Sequence, residues 1–288
     1  MVDHKKCKTV IYNTDNKYIK KALDGLDTRN KVLIGVGEGS NEDISYADYL
    51  IDENQTEYRM KINNRKLSVS YPGLLPKEYR EVFGVSIGVY QTILKDANTT
   101  DAETYIKKSL TNNFSLPKGR GSTFKGINQS IIIDSSYNAS KVAVLSFLEM
   151  VKQLKRTSHR PVVFLFGDMR ELGNEAEIEH REVAKQIALS CDYIYLVGEL
   201  TKKYVLPVVE QTHQNKSMWF ESNIQAGEYL VQHLPKNALL LVKGSQNTIF
   251  LEESIKYLLA DKADKNKLCR QDAYWLTIKS KQGRLTTV

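Results

Sequence analysis

Nowhere do the 288 residues hold an apolar run near the roughly 20 residues that a membrane-spanning helix needs. The opening MVDHKKCKTV carries positive charge with no apolar segment behind it, so no signal peptide is expected. Cysteine is scarce. Cys7, Cys191 and Cys269 are scattered, odd in number and form no CxxC pair. That pattern excludes a disulfide framework and a zinc site, and it predicts a reduced, cytoplasmic setting. Internal repeats and low-complexity tracts are absent as well, so the whole chain reads as folded, with 41% hydrophobic residues available for a core.

Charge of one sign is not lacking. The formal net charge is +7, which invites a nucleic-acid reading. Its placement argues against that. Residues 261–288 hold seven Lys or Arg against three Asp, so +4 of the excess sits in the tail. A basic tail is expected to be solvated surface, and an anionic small-molecule substrate accounts for a mild basic bias equally well. Nucleic acid and membrane are therefore not expected partners. A basic α/β protein that binds nucleic acid through its tail is the third of three hypotheses, and it requires steeply salt-dependent binding.

From about residue 130 short apolar runs alternate with helix-period segments: SIIID, KVAVLSFLEMVKQL, RPVVFLFGD, EIEHREVAKQIALS, DYIYLVG, TKKYVLPVVEQ, MWFE, AGEYLVQHL, ALLLVKG and IFLEESIKYLLA. In the first helical segment Val144, Phe147, Leu148 and Val151 fall on one stripe. Leu251, Ile255, Leu258 and Leu259 do so in the last. Strands that are apolar nearly throughout and alternate with helices predict a parallel sheet covered on both faces, a Rossmann-like, doubly wound α/β domain. Residues 1–116 are α/β material without that regularity. TVIYN and KVLIGVG are expected strands, YRMKIN and KLSVSYPG a hairpin around Asn63-Asn64, and EYREVFGVSIGVYQTILKDA and DAETYIKKSLTNN helices. LPKGRGSTFKG (116–126) is the expected linker, placing the domains at 1–116 and 117–288.

In such folds ligands bind at the carboxyl ends of the strands. Four strand ends carry polar groups: Asp134-Ser135-Ser136-Tyr137-Asn138, Gly167 to Gly173, Gly198-Glu199, and Lys243-Gly244-Ser245-Gln246-Asn247. Helix capping explains Ser135, Ser136 or Asn138. It explains Asp134 less easily, and a lysine near the positive end of a helix implies an anion there. Gly35-Val36-Gly37-Glu38-Gly39-Ser40 has the look of a phosphate loop but lacks the Lys-Ser/Thr of a P-loop and the third glycine of GxGxxG, and Glu38 would repel a phosphate. A glycine-rich turn is expected instead. His180 lies on an apolar helix stripe, where hydrogen-bonded packing is the default role. LCRQDAYWLTIKS near the C-terminus is expected to form a short amphipathic packing helix.

Taken together, IIIDSSYNAS, FLFGDMRELGNEAEIEHREVA and LLVKGSQ resemble the C-terminal domain of the Mur ligases, and most closely the member that adds D-alanyl-D-alanine to UDP-MurNAc-tripeptide. The Asp-Asn-Pro-Arg loop of the diaminopimelate-adding member is absent. YNTDN (12–16), YPG (71–73) and KGR (118–120) are similar, more faintly, to the family's central domain and linker. The resemblance implies an incomplete α/β Mur ligase central domain followed by the complete C-terminal domain. It implies ATP-dependent peptide-bond formation through an acyl phosphate, with Mg2+ and lysine charges offsetting the charge on the transferred phosphoryl group. Arg120 resembles the linker arginine that reaches nucleotide phosphates, and Asp134 the aspartate that bonds the nucleotide ribose. Asn138, Lys243, Gly244 and Ser245 fall where the family orients the incoming dipeptide.

The departures define the expectation. The Walker-type lysine loop, the magnesium ligands, the modified lysine and the UDP-sugar domain belong, in the family, to sequence upstream of Met1. LLPKEYREVFG lacks the family's adenine-side asparagines, and Gln246 replaces its arginine. Losing even one transition-state donor costs roughly 3 kcal/mol, so the chain alone is expected to be inactive. The expected partners are an upstream polypeptide carrying the P-loop and UDP-sugar domain, with UDP-MurNAc-peptide and D-Ala-D-Ala as substrates. The alternative is a non-catalytic Rossmann-like protein that binds a nucleotide or a partner.

Overall fold

The computed structural model describes residues 2, 4–62, 65–94, 104, 108–109, 112–245 and 248–288. The chain divides into two units, Met1–Ser115 and Leu116–Val288. Among the described residues no helix is long and apolar enough to cross a membrane.

The described part of the first unit holds a five-stranded sheet in the order β1-β2-β3-β4-β5. β1 (Thr9–Asn13), β2 (Val32–Gly37) and β3 (Ile44–Ile51) run parallel, and β4 (Thr56–Ile62) and β5 (Arg65–Tyr71) continue antiparallel. In TEYRMKI the residues Thr56, Tyr58, Met60 and Ile62 are buried and the alternate ones are not, the period-2 signature of a half-buried strand. Helix α1 (Lys17–Asp24) is capped by Asn16, whose side chain accepts from the N–H groups of Tyr18 and Ile19. Helix α2 (Tyr79–Leu94) lies on β1, β2 and β3, with Phe83 and Ile87 buried. Gly84 permits the approach, since a Cβ there would lie 2.6 Å from Val36 Cγ1.

The glycine-rich turn after β2 has a packing explanation of the same kind. A Cβ on Gly37 would lie 2.1 Å from Thr14 Oγ1, and the Glu38 N–H donates to the Asp15 carboxylate. Strand β3 and helix α1 were not expected from the sequence. β3 interrupts its apolar pattern with a bulge between Tyr46 and Asp48, and α1 buries no residue. The hairpin pairs as expected, while its Asn63-Asn64 turn and most of the helix expected over 101–113 lie outside the described residues.

The described part of the second unit holds a six-stranded sheet in the order β10-β9-β8-β11-β7-β6. Five strands are parallel: β7 (Ile131–Ser135), β8 (Val162–Gly167), β9 (Tyr193–Val197), β10 (Ser217–Phe220) and β11 (Leu239–Lys243). β6 (Ser122–Lys125) is antiparallel at the edge. The stretch expected as a linker is therefore partly a strand, and Phe124 earns its place there by burial in the core. The connecting helices are α3 (Lys141–Ser158), α4 (Ala176–Ser190), α5 (Leu206–His213), α6 (Asn223–His233) and α7 (Glu252–Leu258). Val163, Leu165, Leu240 and Val242 meet Leu230 of α6 and Ile255 of α7 on one face. The alternate residues point to the other face, where Lys243 lies 5.1 Å from the ring of Phe147 in α3. This is the doubly wound α/β arrangement, with one antiparallel edge.

The tail departs from expectation. LCRQDAYWLTIKS does contain a helix, α8 (Ala273–Lys281), but its buried residue is Lys279. Arg270 is buried too. The tail is not simply solvated surface, because α7 supplies carboxylates to receive these cations: Glu252 and Glu253, both fully buried.

Candidate functional site

The loops leaving β7, β8, β9 and β11 meet at the carboxyl edge of the six-stranded sheet. After β7, the Asp134 Oδ1 accepts from the Ser136 N–H at 2.9 Å and turns the chain. Lys243, at the end of β11, reaches across and donates to Ser135 Oγ at 3.0 Å and to the Asn138 carbonyl at 2.9 Å. Ser245 Oγ lies 3.3 Å from Asn138 Oδ1 and accepts from the Arg170 N–H at 3.0 Å. The Ser245 N–H donates to the Asp168 carbonyl at 3.0 Å. The β7, β8 and β11 loops thus form one hydrogen-bonded knot.

Asn138, Lys243, Gly244 and Ser245 are brought together by that knot. Lys243 is buried, and burial, with Arg120 nearby, pulls its ammonium down to about 8. Its hydrogen bonds brace the Ser135–Asn138 loop from beneath. Asp134 is fully buried one strand position further back, and its Oδ2 has no hydrogen-bond partner among the described residues. Burial pushes its carboxyl up to about 6, against the opposing effect of the Ser136 bond. Arg120 is exposed, with its guanidinium 4.5 Å from the centre of the Tyr137 ring. Gln246 lies outside the described residues.

Next to the knot opens a cleft of about 610 Å³. Its walls are Asp168 to Gly173 from the β8 loop, Gly198 to Leu200 from the β9 loop, Glu221 after β10, Thr248 and Ile249 after β11, and Arg284 from the tail. Asp168 is held by the Thr201 N–H at 2.8 Å, and its carboxyl is raised by burial, partly offset by backbone N–H groups of Thr201 and Leu200. Gly198 has φ +116, and a Cβ there would lie 2.4 Å from Asp168 Oδ1. Gly198→Ala is therefore expected to destabilise the second unit by about 2 kcal/mol through backbone strain and displacement of Asp168, measured by urea unfolding. His180 is buried beneath the loop. Its Nε2 accepts from the Met169 N–H at 3.0 Å and its Nδ1–H donates to the Ala176 carbonyl at 2.6 Å. With both nitrogens bonded and burial pulling it below its ordinary value, it is a neutral bracket for the β8 loop.

Residues 119–246 match the family model "Mur ligase, glutamate ligase domain". The second unit has the fold of a Mur ligase C-terminal domain. Solved structures agree with this fold. The Thermotoga maritima MurF ligase, determined in complex with ADP, superposes with a TM-score of 0.68 at 18% identity, covering 88% of this chain and 53% of that one. MurF from Acinetobacter baumannii gives 0.65 at 17% identity, covering 82% and 49%. The folylpolyglutamate synthetase of Lactobacillus casei gives 0.58 at 11%, covering 82% and 50%. The chain thus spans about half the length of the solved MurF ligases it resembles. No curated protein matches it.

In this domain, three motif loops picked out in the sequence converge on one sheet edge. Sequence reasoning missed Arg284. Its arrival depends on the folding of the tail, for which a run of scattered lysines and arginines gives no local signal.

Proposed function

We propose that this chain supplies the C-terminal portion of an ATP-dependent, amide-forming ligase of peptidoglycan precursor synthesis, one that joins D-Ala-D-Ala to UDP-MurNAc-tripeptide. The observation that carries the proposal is the cleft at the carboxyl edge, walled by the GDMRELG loop and joined to the Lys-Gly-Ser knot through the bonds of Asp168 and Arg170 to Ser245, in a domain matched by the Mur ligase family model. The fold likeness to MurF ligases supports the choice of substrates. In this proposal the cleft takes the incoming dipeptide. Asn138, Gly244 and Ser245 belong to the knot beside it, where Lys243 holds the Asn138 carbonyl and Ser245 meets the Asn138 side chain. Arg120, exposed beside Tyr137, reaches the nucleotide phosphates, and Asp134 meets the ribose once its loop opens.

Among the described residues no group of three His, Cys, Asp or Glu is placed to hold a metal ion, and Mg2+ in phosphoryl-transfer sites rests on one or two carboxylates together with substrate phosphates. In this proposal the metal and the phosphoryl chemistry lie on an upstream polypeptide with the P-loop and UDP-sugar domain. In the proposed reaction ATP activates the tripeptide carboxylate as an acyl phosphate, and the dipeptide amine displaces phosphate. The experiment is ADP release with UDP-MurNAc-tripeptide, D-Ala-D-Ala, ATP and Mg2+, from the purified chain with and without a candidate upstream polypeptide. Release only with both pieces is expected. Release by the chain alone would refute its incompleteness, and no release with either would favour a non-catalytic binding protein.

A further inference from the structure

The cleft carries charge of both signs on separate groups. Glu171, Glu199 and Glu221 are exposed carboxylates on its walls, and Arg170 and Arg284 are the two guanidiniums. Asp168 is already engaged by backbone N–H groups. A ligand that satisfies such a wall carries an ammonium and a carboxylate, as a free amino acid or dipeptide does. Arg170 belongs to the β8 loop and donates to Thr248 Oγ1.

Arg284 comes from the far end of the chain and is held there by an elaborate anchor. Its N–H donates to the Lys279 carbonyl at 2.8 Å, and its own carbonyl accepts from Asn223 Nδ2 at 2.9 Å. Two residues on, the Thr286 N–H donates to the buried Glu253 carboxylate at 3.1 Å. Among the described residues the guanidinium makes one hydrogen bond, Nη1 to the Glu221 carbonyl at 2.9 Å, and Arg284 lines the cleft. The backbone on both sides is thus pinned, while the charged end stands in the wall.

We propose that Arg284 is the specificity-determining cation that binds the ligand carboxylate, so that the tail completes the site for the incoming amine substrate. This rests on the reading of the cleft as the dipeptide site. A guanidinium matches a carboxylate with paired donors.

The test is isothermal titration calorimetry of the full chain with D-alanyl-D-alanine and with its C-terminal amide, which keeps the ammonium and removes the negative charge. Wild type is expected to bind the acid ~10-fold more tightly than the amide, as one charge-assisted contact allows. Arg284→Ala is expected to lose that preference, binding the acid ~10-fold more weakly and the amide as before, and Arg284→Lys to recover part of it. If Arg284→Ala keeps the wild-type preference, the assignment of Arg284 is wrong while the dipeptide site stands. Equal weakening of both ligands would show a structural role and equally overturn it. If folded wild type binds neither ligand, the dipeptide reading of the cleft falls, and this inference with it.

Discussion

Glu252→Gln is expected to destabilise the second unit by about 3–5 kcal/mol, the range for removing one partner from a buried charge pair. Glu252 is fully buried and receives Arg270 through Nε at 2.8 Å and Nη2 at 2.5 Å. It also faces Lys279 Nζ at 2.9 Å. Burial alone would pull Arg270 down, yet the paired Glu252 carboxylate holds it above its ordinary value. Glu253 takes the other side of the cluster, with Lys279 at 2.7 Å and Lys256 at 2.8 Å. The cluster holds two carboxylates against three cations. Glutamine preserves shape and volume, so the loss reports charge and not a cavity. It would leave Arg270, Lys279 and Lys256 with Glu253 alone. Adding Arg270→Met is expected to restore part of the stability, because it removes a cation that no longer has a counter-charge. Urea unfolding of the two single variants and the double variant measures the coupling. A loss below about 1 kcal/mol for Glu252→Gln, a value typical of exposed ion pairs, would contradict a desolvated cluster.

That cluster also explains what was legible in the sequence and what was not. VVFLFG and LLLVK announce themselves as buried strands because every residue is apolar or small until the strand end. The polar groups that follow them mark the carboxyl edge, and the fold places them there. Arg270, Lys279 and Arg284 look in sequence like any surface cation. Their burial or placement depends on Glu252 and Glu253, which themselves occupy the first turn of a helix and read as an ordinary helix start. Strand β6 was hidden for a related reason. Its pairing partner, Ile131–Ser135, sets its register, and glycines at 119 and 121 with φ of +74 and +117 make the segment look like a linker. Asp134 was legible as an oddity, a carboxylate at the end of three isoleucines. Its complete burial was not, since that follows from β6 on one side and β11 on the other.

Asp134 gives the second large expected effect, a dependence of stability on pH. Its carboxyl stands at about 6 in the folded chain against an ordinary 3.8, chiefly because burial disfavours the charged form. The folded state therefore holds a proton that the unfolded state has released between those values. The stabilisation is full below the unfolded value and is lost as pH rises through the folded one. Asp134→Asn removes the titration and keeps the oxygen that accepts from the Ser136 N–H. Relative to wild type, the variant is expected to gain about 3 kcal/mol between roughly pH 4 and pH 7.5, two pKa units at 1.36 kcal/mol each. Urea midpoints of both proteins across that interval supply the difference, and other titrating groups cancel in it. A constant difference would mean that Asp134 does not change its protonation on folding. A difference of opposite slope would mean that a donor, absent from the described residues, already satisfies Oδ2. The same orphaned oxygen connects stability to the proposed nucleotide contact. A ribose hydroxyl bonded to Oδ2 would favour the ionised form, so saturating ADP is expected to flatten the wild-type slope and leave Asp134→Asn unchanged.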